Sequence, residues 1–343
     1  MHIFRTSEPD FSDLEKLLRR EPLAKPIPFE IFVTHQFFEF FTGEPAPKNE
    51  DELETLKWIV NAFYNAGYVH ATTWGANFSF PKRNHERKES VSLNDCSSIT
   101  DRESFESFKW IDPNTCDYSR LEKISPFLPG KMKLLITGPS GVLENVTALV
   151  GYDNMCYMLY EDPELLKDIF DKVGSSLYDY YRNCLEYDTV GAIVVNDDWG
   201  FNTQTFLSAA HLREYVFPWH KKIVELAHAK GKCAILHSCG NLETVFEDII
   251  TDMKFDGKHS FEDKILSVED SFEKYGNRIA ILGGLDIDFF IRATTDEVTQ
   301  RAEKLVRLTT EKGGYALGTG NSLCSYIPEE KVVALLNVIK NYK

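Results

Sequence analysis

The stretch LHSCGN (236–241) places an imidazole and a thiol two residues apart, at His237 and Cys239. On an extended chain leaving a strand, residues two apart project to the same side, and Ser238 between them faces away. An imidazole and a thiolate converging on one point suit Zn²⁺, and a catalytic zinc takes three protein ligands and keeps a fourth position open. The third ligand has to come from elsewhere: Cys324 in GTGNSLCSYIP, or Glu262 or Asp263. The plainer alternatives are a histidine hydrogen-bonded at a strand end beside a buried cysteine, and a Cys324 that packs at the start of the last helix.

VNDDWG (195–200) sets two carboxylates side by side. On an extended exit Asp197 and Asp198 point to opposite sides, so at most one faces a pocket. There it would act as a general base, orient His237 or bind substrate, and the other would cap a turn. Glu262 is a third catalytic candidate. ILGGLDID (281–288) offers glycines for close backbone approach and Asp286 for a polar contact or a tight turn. Glu30, Trp74, Asn196 and Asn321 complete the candidate substrate-binding set, and His35 flanks the first of these positions.

Positioning such residues requires elements whose ends meet. Apolar runs recur at 27–33, 68–74, 133–138, 190–197, 232–237, 255–260, 278–284 and 314–320. Amphipathic stretches separate them near 50–66, 163–186, 208–230, from 242, and at 267–276, 296–311 and 328–341. Strands that are apolar throughout and alternate with helices predict a parallel α/β sheet covered on both faces. Eight units predict a (β/α)8 TIM barrel, a single domain over 1–343 with an N-terminal extension and an irregular insertion (75–130) over the barrel mouth. An open doubly wound sheet is the alternative, weakened because no Gly-rich turn follows the first run. The C-terminal strand ends then carry Glu30, Trp74, Gly138-Pro139, Asn196 to Asp198, His237 to Gly240, His259-Ser260 with Glu262, Gly284 with Asp286, and Asn321. Polar groups at nearly every strand end point to an enzyme acting on a small molecule.

Composition narrows the partners. A net charge of −15, from 38 basic and 53 acidic residues, argues against a nucleic-acid or anionic-membrane surface. The opening MHIFRTSEPDFSDLEKLLRR has no apolar run of the secretory kind, and no stretch approaches a membrane span. Seven cysteines without a framework fit reduced thiols in a cytoplasmic setting, with Cys116, Cys156, Cys184 and Cys233 expected as buried packing residues. A homodimer is the default assembly.

The segments 194–250, 138–173, ILGGLDIDFF (281–290) and GYALGTGNSLCSYIPEEKVVALL (314–336) resemble the uroporphyrinogen decarboxylase-like superfamily. The resemblance runs over most of the chain and implies one of two chemistries. One branch decarboxylates uroporphyrinogen without a cofactor, using an arginine-rich N-terminal motif, an aspartate and a tyrosine. Here THQFFEFFTGEP (34–45) holds no arginine, and Arg83 and Arg87 lie in a different context. The other branch holds zinc through an H-x-C motif and a later cysteine, and exchanges methyl groups with a corrinoid carried by a partner protein. His237 and Cys239 match its first part; the last-ligand position falls near Asn321, with Cys324 three residues further on. The resemblance implies a zinc-dependent methyltransferase acting between a corrinoid protein and a small thiol or other acceptor, with His237, Cys239 and Cys324 on the metal. A metal-free decarboxylase of porphyrin biosynthesis is the second reading, and a non-catalytic barrel binding a small ligand or a corrinoid protein is the third.

Overall fold

The computed structural model describes residues 2–48, 51–81 and 97–342. Within them, β1 (Phe32–Val33) is a short strand at the end of the first apolar run. Seven further strands form one parallel sheet in chain order: β2 (His70–Trp74), β3 (Lys133–Thr137), β4 (Val190–Asn196), β5 (Cys233–His237), β6 (Gly257–His259), β7 (Ala280–Leu282) and β8 (Tyr315–Ala316). Parallel neighbours need long crossovers, and helices supply most of them. The sheet is apolar on both faces. One face packs Val194, Ile235 and Leu282 against Leu14 and Leu17 of the N-terminal helix Ser12–Leu18, and the other packs against the helical layer.

The run 27–33 was expected as a full strand, yet only its end is one: β1 pairs in parallel with β9 (Ser322–Leu323) in a separate ladder. Pro26 and Pro28 lack the N–H a continuous ladder requires. The segment is instead tied to both edges of the seven-stranded sheet. Phe29 donates its N–H to the Leu317 carbonyl (2.8 Å) beyond β8, and the Glu30 carbonyl accepts from His70 Nε2 (3.1 Å) on β2. The Glu30 carboxyl accepts from the Thr319 N–H (2.6 Å) and pairs with its hydroxyl (2.8 Å).

The helices follow local chemistry. Asp162 caps helix Pro163–Leu185 through the Leu165 N–H (3.0 Å), with Pro163 at the first helical position, where no N–H is needed. Pro218 removes a donor from the helix expected near 208–230, and the chain answers with a π-helical turn, Leu212–Val216, before continuing as Phe217–Ala229. The expected helix from 242 is broken into a short 3₁₀ turn and a second π turn, Glu243–Val245 and Asp248–Asp252.

The insertion expected over the barrel mouth falls in part (82–96) outside the described residues. Of its described residues (75–81 and 97–130), Gly75 donates its N–H to the Tyr180 hydroxyl (2.6 Å) on the outer helix Pro163–Leu185, and Arg120 donates to Thr73 Oγ1 (2.6 Å) at the end of β2. Arg102 pairs with Asp168 near one end of that helix, and Asn183 donates to the Pro113 carbonyl (3.4 Å) near the other. Phe105, Phe108 and Trp110, among its described aromatics, pack against the main hydrophobic core. Arg83, Arg87 and Cys96 lie outside the described residues. Of the four cysteines expected as packing residues only Cys184 is fully buried; Cys116, Cys156 and Cys233 are half-buried, and no disulfide links the described cysteines. Among the described residues no helix is long and apolar enough to cross a membrane.

Burial pushes the Glu30 carboxyl up to about 8. A folded value above the ordinary one, about 4.3, means that the folded chain holds a proton the unfolded chain releases. The resulting stability is present at low pH and lost as pH rises toward that value. Glu30→Gln keeps the acceptor for Thr319 without the ionisation, so urea unfolding between about pH 5 and about pH 8 should show a shallower decline than in the native chain. An unchanged slope would exclude Glu30 as its source.

Candidate functional site

Strand register brings the chemistry together. Asn196 on β4 lies opposite His237 on β5, and His237 lies opposite His259 on β6, so three strand ends share one level. Beyond them β4 and β5 are cross-linked: the Asp197 N–H donates to the His237 carbonyl (2.9 Å), and the Cys239 N–H donates to Asp198 Oδ1 (2.8 Å). The two exits touch at Gly240, whose φ of +92° suits glycine and where any Cβ would stand 2.1 Å from the Gly200 carbonyl oxygen.

His237 and Cys239 project to the same side, with Cys239 Sγ 3.8 Å from His237 Nε2. Asp198 joins them, and one ligand atom from each of the three lies within 4.8 Å of the others. Among the described residues this is the one such group of potential metal ligands. Asn321 Nδ2 donates to Cys239 Sγ (3.2 Å), and Ser260 Oγ lies 3.3 Å from the same sulfur. His237 Nδ1 is bonded to His259 Nδ1 (2.8 Å); with the proton on His237, its Nε2 lone pair is free to face the sulfur and the carboxylate.

Burial sets the electrostatics of the group. Burial pushes His237 down to about 4, against the pull of Asp198, so the ring is neutral and able to ligate. Burial and then the Asp198 charge push the Cys239 thiol up to about 12, so the sulfur keeps its proton unless a cation displaces it. Burial also lowers His259 well below its usual range and brings Lys258 down to about 8. Glu144 is pushed up to about 8 by burial and by the charges of Asp197 and Asp198.

The other expected site residues fall into separate places. Asp197 is fully buried and turned away: it accepts from the Leu143 and Glu144 N–H groups (3.0 Å each) at the start of helix Val142–Val150, and pairs with His220 Nε2 (2.8 Å). Asp286 caps helix Ile287–Arg292 through the Phe289 N–H (2.9 Å) and accepts from the Asp263 N–H (2.9 Å). Glu30 is spent on Thr319, as above. Trp74 is 48% exposed, its ring 5.2 Å from the Arg120 guanidinium, away from the three ligands. Asn196 carries a buried Oδ1 with no partner, directly across from His237. Glu262, Asn321 and Cys324 border one cleft of about 390 Å³, but Cys324 is not in the ligand group. The group that converges thus takes its third donor atom from Asp198, at the exit of β4, and includes neither Cys324 nor Glu262.

Two residues escaped the sequence reading. Glu144 lies in a helix start with no distinctive motif. Lys258 had a signal: a lysine inside the short strand FDGKHS, where both sheet faces are covered, is out of place unless it does something.

Fold and site together describe a parallel α/β protein whose strand ends carry a His–Cys–Asp donor set. The chain belongs to the uroporphyrinogen decarboxylase (URO-D) family, whose model matches residues 130–342. Among solved structures it is similar to a methyltransferase from Methanosarcina mazei (16% identity, 99% of each chain, TM-score 0.67). It is also similar to a putative vitamin-B12 independent methionine synthase from Listeria monocytogenes (14% identity, 93% of this chain and 98% of that one, TM-score 0.51). At these identities the likeness establishes the fold. Comparison with curated proteins gives no match.

The two adjacent aspartates should separate on mutation. Asp197→Ala orphans two buried N–H groups and a buried histidine, and should lower the unfolding free energy by roughly 3–5 kcal/mol. Asp198→Ala removes a half-buried acceptor and should cost about 1–2 kcal/mol. Denaturant unfolding of both variants measures this; equal losses would contradict the division of roles.

Proposed function

We propose that this protein is a zinc-dependent methyltransferase that exchanges a methyl group between a corrinoid held by a partner protein and a small thiol or other acceptor. We read the seven strands, together with the 28–33 segment that touches both sheet edges, as the closed eightfold barrel of its family. The observation that carries the reading is the convergence of His237 Nε2, Cys239 Sγ and an Asp198 oxygen at the strand ends.

The residues fit zinc on their own chemistry. A neutral imidazole, a thiol and a carboxylate are three donors of the types zinc takes, which leaves a fourth position for substrate. His259 fixes the tautomer of His237, and the backbone N–H of Cys239 fixes the Asp198 carboxylate, the outer contacts that metal ligands commonly need. Zinc bound there would supply Lewis-acid stabilisation of an acceptor thiolate near neutral pH.

The chain's own contribution is placement. Asn321 and Ser260 orient the Cys239 sulfur from two sides. Glu262 and Asn321 wall a cleft, and Asn321 links it to the Cys239 sulfur. A corrinoid brought by a partner would supply the methyl group, and the chain's residues would serve to align an acceptor sulfur in line with it. Alignment of the two reactants is the main thing a protein supplies to such a step. The family's decarboxylase chemistry is less well supported, because helix His35–Thr42, which leaves β1, contains no arginine to bind a polycarboxylate.

Elemental analysis after zinc-replete expression should find a single zinc per chain, lost from His237→Ala and Cys239→Ala and weakened in Asp198→Ala by about 10–100-fold in affinity. Purified protein should also demethylate methylcobalamin in the presence of a thiol and form no coproporphyrinogen from uroporphyrinogen. A folded, full-length protein without zinc would sink the reading.

A further inference from the structure

Three features behind Cys239 are not explained by ligand geometry alone. Ser260, 2% exposed, has a φ of +82°, a left-handed backbone that a residue with a side chain adopts at a cost. Its carbonyl accepts a hydrogen bond from Lys258 Nζ, whose side chain is buried beside the Phe261 ring, 4.2 Å from the ring centre. No carboxylate lies within ion-pair distance of that ammonium among the described residues, although burying a charge without a counter-ion is expensive.

The same strained turn sets Ser260 Oγ 3.3 Å from Cys239 Sγ. On the other side of the sulfur stands Asn321 Nδ2, which can only donate, at 3.2 Å. The sulfur is thus held between two polar side chains, one from the exit of β6 and one from beyond β8. Contacts from two sides fix where the sulfur points.

We propose that Lys258 and Ser260 are positioning residues for Cys239: Lys258 clamps the Ser260 carbonyl, and the clamp holds the strained backbone that turns the Ser260 hydroxyl onto the sulfur, aiming it at the point where His237 and Asp198 converge to take a soft divalent cation. This rests on reading Asp198, His237 and Cys239 as a cation site, and it assigns the retained strain a purpose. Relaxing the turn would free the sulfur to rotate away from His237.

Glycine accepts a positive φ without penalty, so Ser260→Gly separates positioning from folding. Cobalt(II) titrated into the full-length protein reports thiolate ligation through its sulfur-to-metal charge-transfer absorption, and a thermal melt reports the fold. Ser260→Gly is expected to melt at the native temperature or above, yet to bind cobalt(II) about tenfold more weakly, with a diminished charge-transfer band. Lys258→Met is expected to lose cobalt(II) affinity in the same direction. A native protein that binds cobalt(II) with the band, beside a Ser260→Gly variant that binds equally well, would overturn the positioning role alone. A native protein that shows no band at all would overturn the cation site and this inference with it.

Discussion

The hydrogen bond from the Cys239 N–H to the Asp198 carboxylate is the constraint on which the site depends. It ties the residue that carries the sulfur to the residue that carries the carboxylate, so that two side chains spaced two residues apart face a third from another strand. The bond fixes the exit of β5 against that of β4, and the bare contact of Gly240 with Gly200 lets the two backbones come that close. A carboxylate that accepts one backbone N–H still has lone pairs to offer, so the group that shapes the loop can also serve as a ligand.

Adjacent aspartates with opposite duties follow from the strand's alternation. Asp197 turns into the protein, where the start of helix Val142–Val150 and His220 satisfy it; Asp198 turns to the strand ends. The helix start also supplies Glu144, which gathers against both aspartates and holds its proton into the neutral range. Like charges in a buried space are tolerated here because one is fully hydrogen-bonded and another stays neutral.

Much of the fold was legible. Apolar runs of strand length, divided by amphipathic stretches, located all seven strands of the sheet, because burial on both faces leaves an unambiguous signature. The first run was over-read: its apolar composition suggested a strand, while two prolines denied it the ladder. How the insertion docks was not legible, because irregular sequence carries no period from which a docking surface could be inferred. Its aromatics Phe105, Phe108 and Trp110 pack against the main core.

Sequence alone settled which residues stand at strand ends, since alternation and turn chemistry act over a few neighbours. The spacing of His237 and Cys239 on one side, and the opposition of Asp197 and Asp198, are of that kind. Tertiary structure decided which of those ends meet. That Asp198 rather than Cys324 joins the pair, that Asn321 reaches the sulfur, and that Lys258 lies behind it all depend on register between strands more than twenty residues apart. Register is a property of the packed sheet, and no local pattern encodes it.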